Sequence, residues 1–187
     1  TAKVSWRRVL ERLDAPAEVQ EGPDARALPE VRGALAFEQV SLTTDRGVTV
    51  LDDVSFTVAP GTAVAIVGTS GSGKSTMASL VLRLIDPDRG SVRIDGHDLR
   101  TVRLTDLRRH VVLVEQEPTL LHATIAENLR YGLGAAAPGD GSAAAEAGAL
   151  RRAAEAAGVA AFIEGLPEKY DTVVGERGLQ LSAGERQ

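Results

Sequence analysis

The sequence predicts an α/β fold, and three observations carry that reading. The apolar run "AVAIV" at 63–67 leads straight into the glycine-rich "GTSGSGKST" at 68–76. Next comes "MASLVLRLI", where Met77, Leu80, Val81, Leu84 and Ile85 form an apolar stripe at helical spacing. Upstream, "ALAFEQVSL" and "VTVLDDVSFTV" alternate with the period of two that marks half-buried strands.

Taken in chain order, residues 3–13 set Trp6, Val9, Leu10 and Leu13 on one side of a short amphipathic helix. Residues 15–33 hold three prolines and many charges without period, which reads as a linker. Strand candidates follow from Leu35, bounded by "DRG" and "APG" turns. The run at 62–67 shows little alternation, as does "HVVLV" at 110–114, and both suit strands buried on two faces of a sheet. The helix after the glycine-rich turn stops at "DPDRG", and "SVRIDGHDL" reads as a strand entering an Asp-Gly turn. In "TIAENLRYG", Thr124 and Glu127 stand at capping-box spacing. Residues 132–148 are Gly/Ala-rich and read as a flexible surface insertion, after which "ALRRAAEAAGVAAFIEGL" resumes helix.

Composition narrows the function. The net charge of −5 argues against a nucleic acid held by phosphate neutralisation. With no cysteine in the chain, disulfide frameworks and Cys-based metal or nucleophile sites are excluded. His97, His110 and His122 lack metal-ligand spacing, and no stretch approaches the length of a membrane span.

Gly68, Gly73, Lys74 and Ser75 fit GxxxxGK[ST], the Walker A pattern. Small residues let successive N–H groups converge on one point, at which the following helix aims its N-terminal dipole. The phosphates of a nucleotide are what such a nest fits. The expected nucleotide ligands are Gly68, Thr69, Ser70, Gly71, Ser72, Gly73, Lys74, Ser75 and Thr76, with Lys74 bridging the terminal phosphates and Ser75 ligating Mg²⁺. The motif alone leaves kinases, GTPases, helicases and transport ATPases open. A GTPase should carry NKxD, yet Asn128, the one asparagine, is followed by Leu129.

The closing "VGERGLQLSAGERQ" discriminates among these classes, because "LSAGERQ" resembles the LSGGQ signature of ATP-binding-cassette (ABC) proteins and "VGERG" the stretch that precedes it in ABC exporters. "VVLVEQEPTLLHATIAENLRYG" resembles the exporter Q-loop region, with Gln116 as its glutamine. The resemblance implies a P-loop NTPase core, a mixed sheet flanked by helices, with an antiparallel β subdomain and an α-helical signature subdomain, incomplete at the C-terminus. It implies a cassette over 34–187, and a helix at 1–14 continuing from an upstream membrane domain. ATP and Mg²⁺ are the implied ligands, with Lys74 and Gln116 catalytic and Ser75 and Gln116 at the metal. Leu181, Ser182, Ala183, Gly184 and Glu185 would contact the ATP of a second cassette in a head-to-tail dimer. The implied partners are that cassette and a transmembrane domain of the same or another chain, at the cytoplasmic face of the cell membrane. Glu176 and the loop 120–122 would face that domain.

Three departures from the family pattern stand out. Thr44 occupies the position where an aromatic residue usually stacks on adenine, Ala183 replaces a signature glycine, and Glu185 replaces its glutamine. The Walker B aspartate, the catalytic glutamate and the switch histidine would lie beyond Gln187, so hydrolysis is expected of the parent. A degenerate cassette of a heterodimeric exporter and a soluble ABC ATPase not coupled to transport are the alternatives.

Overall fold

The computed structural model describes residues 19–44, 46–115, 118–133, 143–175 and 181–186, in two units, Thr1–Leu113 and Val114–Gln187. The expected helix at 1–14 lies outside the described residues, as do Gln116 and Glu176.

In the first unit, β1 (Leu35–Thr43) and β2 (Thr49–Val58) each break their alternation, and the break lets both bury their apolar residues. Strict period two would send Phe37 and Val40 to opposite faces. Both are nevertheless buried, at 2% and 0% exposure. Bulges near Gln39 and Asp53, both at positive φ, shift the register so that Phe37 pairs with Phe56, Val40 with Val54 and Leu42 with Leu51. Serines hold the bulged amides: Gln39 N donates to Ser55 Oγ (2.9 Å) and Asp53 N to Ser41 Oγ (3.0 Å). β3 (Arg89–Ile94) lies antiparallel on the other side of β1. It turns through Asp95 and Gly96 into β4 (His97–Asp98), giving the order β2-β1-β3-β4. The expected Asp-Gly turn is therefore a two-residue hairpin, whose positive φ values these residue types tolerate.

Helix α1 (Lys74–Val81) buries Leu80 in the same core as Phe37, Val40, Leu51 and Val92. The sequence stripe ran on to Ile85, but the helix ends where Arg83 turns left-handed (φ 49°), which leaves Leu84 48% exposed. Arg83 itself is buried. Its guanidinium donates to Asp86 Oδ1 (3.0 Å) and to the Gln20 carbonyl (3.2 Å), and so fixes that turn to the incoming chain.

The described part of the expected linker, 19–33, is a strap fastened to this unit. Arg26 bridges to Val102: its N–H donates to the Thr101 carbonyl (2.9 Å) and its carbonyl accepts from Arg103 N (2.9 Å). Leu28 enters the core, and the Glu21 carboxylate caps α2 (Leu104–His110) by accepting from Leu104 N at 2.9 Å. Prolines and charges without period describe a segment lacking its own element, and such a segment can still dock through main-chain groups and one leucine.

The runs at 62–67 and 110–114 were expected as buried strands of a mixed sheet. Neither forms a ladder among the described residues, and Val64, Val67, Val112 and Val114 are each more than half exposed. A continuous apolar run marks a strand with neighbours on both edges and both faces. No described strand lies beside either run, so the pattern reports a neighbour and not a local preference.

In the second unit, β5 (Ala123–Thr124) pairs antiparallel with β6 (Val173–Val174), and Ile125 N donates to the Thr172 carbonyl (3.0 Å). Around this ribbon pack α3 (Ile125–Leu133), α4 (Ala143–Ala156) and α5 (Ala160–Glu164), through Ile125, Ala154, Ile163 and Val174. The expected insertion at 132–148 is shorter than its composition suggests. Residues 143–148 are helical, because alanine has the strongest helix preference of any residue, and 134–142 lie outside the described residues. Gly158, at φ 76°, ends α4 and divides the single helix expected there.

Candidate functional site

The glycine-rich segment 68–73 connects residues 62–67 to the first turn of α1, and its path depends on missing side chains. A Cβ on Gly68 would meet Ser72 Oγ at 2.6 Å. At Gly73, the N-cap of α1 with φ 86°, a Cβ would meet Leu51 Cδ2 at 2.8 Å and the Val50 carbonyl at 3.2 Å. The hairpin β1–β2 thus backs the loop directly, and only glycine combines that approach with that φ.

Lys74 closes the loop over itself. Its ammonium donates to the carbonyls of Gly68 (2.9 Å) and Thr69 (2.7 Å), with Ser72 Oγ at 3.4 Å. The first turn of α1 contains no acid, and Gly73 offers no capping side chain. The helix start is therefore a concentration of positive partial charge without an anion of its own, beside a mobile-stemmed cation. Ser75 is exposed at this start and Thr76 half-buried. The donor set is amides, one ammonium and hydroxyls, which fits a polyphosphate and a hard cation ligated by oxygen.

Thr44 follows β1 and closes the hairpin: its N–H donates to the Val48 carbonyl (2.9 Å), and its exposed hydroxyl lies 3.3 Å from both the N and the O of Val48. No ring is offered there.

In the second unit the signature segment runs from half-buried Leu181 into α6 (Ala183–Arg186). Ser182 and Glu185 form a capping box. Ser182 N (2.7 Å) and Oγ (2.6 Å) both donate to the Glu185 carboxylate, and Glu185 N donates back to Ser182 Oγ at 3.4 Å. The Ser182 hydroxyl, followed by its N–H, holds the Glu185 carboxyl below the ordinary glutamate range. Thr124 and Glu127 make the corresponding box at the start of α3, with bonds of 2.8, 2.9 and 3.1 Å. Sequence reasoning missed Asn128, whose side chain makes a set of main-chain bonds to the loop before α3. Asparagine inside a helix has no positional signature by which to find it.

A family model described as ABC transporter matches residues 51–187. The chain is 44% identical over 187 residues to the "ATP-dependent lipid A-core flippase" of Alkalilimnicola ehrlichii, covering 100% of this chain and 30% of that protein. It is 45% identical over 175 residues to the "ATM1-type heavy metal exporter" of Novosphingobium aromaticivorans, covering 94% of this chain and 27% of that one. Among solved structures, that of a bacterial Atm1-family ABC exporter with ATP bound matches at a TM-score of 0.79 and 42% identity, over 98% of this chain and 31% of that chain. The chain therefore spans about a third of the length of the relatives it matches.

Proposed function

The chain belongs to the ABC transporter family, and from that premise we propose that it is the nucleotide-binding part of a membrane exporter, binding Mg-ATP at 68–76. The observation that carries this reading is the loop itself, two glycine positions that a Cβ would obstruct and a lysine bonded across the opening. Lys74 would exchange the carbonyls of Gly68 and Thr69 for phosphate oxygens, gaining charge-assisted bonds worth ~1.5–3 kcal/mol each. Ser75 and Gln116 would hold Mg²⁺, which when bound neutralises charge on the phosphates.

The signature residues 181–185 would serve the ATP of a second cassette paired head to tail, with the Ser182 hydroxyl turning from Glu185 toward a phosphate. A transmembrane domain of the same or a partner chain would receive the force through the loop 120–122 and Glu176, at the cytoplasmic face of the membrane. Coupled hydrolysis belongs on this reading to the complete protein. Lys74→Ala there should abolish ATP binding and turnover, and undiminished ATPase activity would contradict the assignment. Thr44 favours a second reading, a degenerate cassette that binds ATP while a different partner hydrolyses it. Turnover by a homodimer of the complete protein would exclude it.

A further inference from the structure

We infer that Asn128 is a positioning residue, whose side-chain amide holds the main chain of Leu121 so that the loop 120–122 is preformed for the membrane domain. The role in coupling rests on the exporter reading above; the clamp itself does not.

Asn128 Oδ1 accepts from Leu121 N (2.8 Å), and Nδ2 donates to the Leu121 carbonyl (3.1 Å) and to that of Thr124 (3.0 Å). A third carbonyl, of Ala123, lies at 3.5 Å. One primary amide thus satisfies both the donor and the acceptor of one loop residue, as a neighbouring strand would. No other side chain of this size can do so, because a carboxylate lacks the donor and a leucine lacks both.

The loop is also closely approached by the chain that follows β6. Gly175, which follows β6 at φ 104°, approaches so near that a Cβ would meet His122 Cα at 2.8 Å and the Leu121 carbonyl at 3.0 Å. The loop is therefore held by Asn128 on α3 and packed against the end of β6, while Leu121 remains 47% exposed. An exposed apolar side chain on a doubly fastened main chain is a contact whose ordering cost has been met before a partner arrives. Asn128 also lines a cavity of about 130 Å³ with Leu181 and Glu185, so the helix that fixes the loop borders the signature segment.

The test uses Asn128→Ala, which removes both the acceptor of Leu121 N and the donors without adding bulk, and the similarly sized Asn128→Leu, in the complete membrane protein. Amide hydrogen exchange at Leu121 should accelerate by roughly tenfold or more, the scale set by losing such bonds. Exchange at Ile125, held by the Thr172 carbonyl, should not change and reports that the unit stays folded. Basal ATPase rate and KM for ATP should hold, while the transport-coupled fraction of turnover falls. If Asn128→Leu also loosens Ile125, the smaller Asn128→Ala decides. Unchanged Leu121 exchange overturns the clamp. Faster exchange with intact coupling overturns the positioning role. Leu121→Asp separates the two levels: uncoupling by it but not by the Asn128 variants sinks only this inference, whereas full coupling in all of them sinks the docking-loop reading itself.

Discussion

At the start of α1 the N-cap is Gly73, with no side chain, and the first turn holds no acid; at the start of α6, Ser182 and Glu185 close a capping box over the same kind of free N–H groups. The start of α3 resembles α6, with Glu127 folded back on Thr124. Every helix N-terminus exposes unpaired donors and positive partial charge. A carboxylate in the first turn supplies an internal anion and completes the helix. A glycine cap with a lysine behind it leaves the anion to be supplied from outside. The contrast teaches that the glycine-rich loop is distinguished less by its donors, which all three helix starts share, than by the absence of a resident acceptor.

The largest expected effect therefore falls on the external anion. Lys74→Ala removes the one side-chain cation bonded within the loop, and with two charge-assisted bonds at stake nucleotide affinity should drop by roughly 3–6 kcal/mol, hence at least about a hundredfold. Isothermal titration with Mg-ATP reads this directly, and a Kd within threefold of the unmodified protein would remove Lys74 from the site. Gly73→Ala probes the cap itself. The new methyl would press on Leu51 and Val50 at a φ that L-residues rarely adopt, which should cost about 2–4 kcal/mol of stability in urea unfolding. A serine cap in place of Thr124 should by contrast be nearly silent, because that helix start already uses a hydroxyl.

The same contrast explains what sequence reading reached. The conformation of the glycine-rich loop was readable because its signal is local: spacing of Gly68, Gly73 and Lys74 encodes the turn, the approach and the charge together. The box at Thr124 and Glu127 was readable for the same reason. What failed was non-local. The runs at 62–67 and 110–114 encode burial between neighbours, and no strand pairs with them among the described residues. The strap at 19–33 is held by hydrogen bonds of Arg26 main chain and by Leu28, which no composition rule registers. The bulges at Gln39 and Asp53 left one trace, the three-residue step from Phe37 to Val40, where period two would have required two.

A smaller effect is expected at Thr44. Its hydroxyl only reinforces a hairpin already closed by the bond from its N–H to Val48, so Thr44→Tyr leaves the turn intact. Base–aromatic stacking is worth about 1–3 kcal/mol, and the exposed end of β1 should realise the lower part of that range. ATP binding should tighten by about fivefold, the equivalent of 1 kcal/mol. An unchanged Kd would show that this hairpin end does not approach the base.

The smallest change concerns the resident anion of α6. Bonds from the Ser182 hydroxyl and N–H lower the Glu185 carboxyl in the folded chain relative to the unfolded one, and the Thr124 N–H and hydroxyl do the same for Glu127. Each group thus contributes a stabilisation that is fully present above its unfolded pKa and is lost as pH falls through its lower folded pKa. Both caps should accordingly hold at neutral pH and loosen only below the ordinary glutamate range. Carbon-detected NMR titration of the two carboxyls should give midpoints below the ordinary glutamate range. Glu185→Gln should keep the reciprocal bonds, since an amide oxygen still accepts from Ser182, while making protection of the residue 185 amide independent of pH. If that protection is already flat from pH 7 to about 3 with Glu185 present, the carboxylate is not the acceptor of Ser182, and α6 would stand with α1 as a helix start open to an external anion.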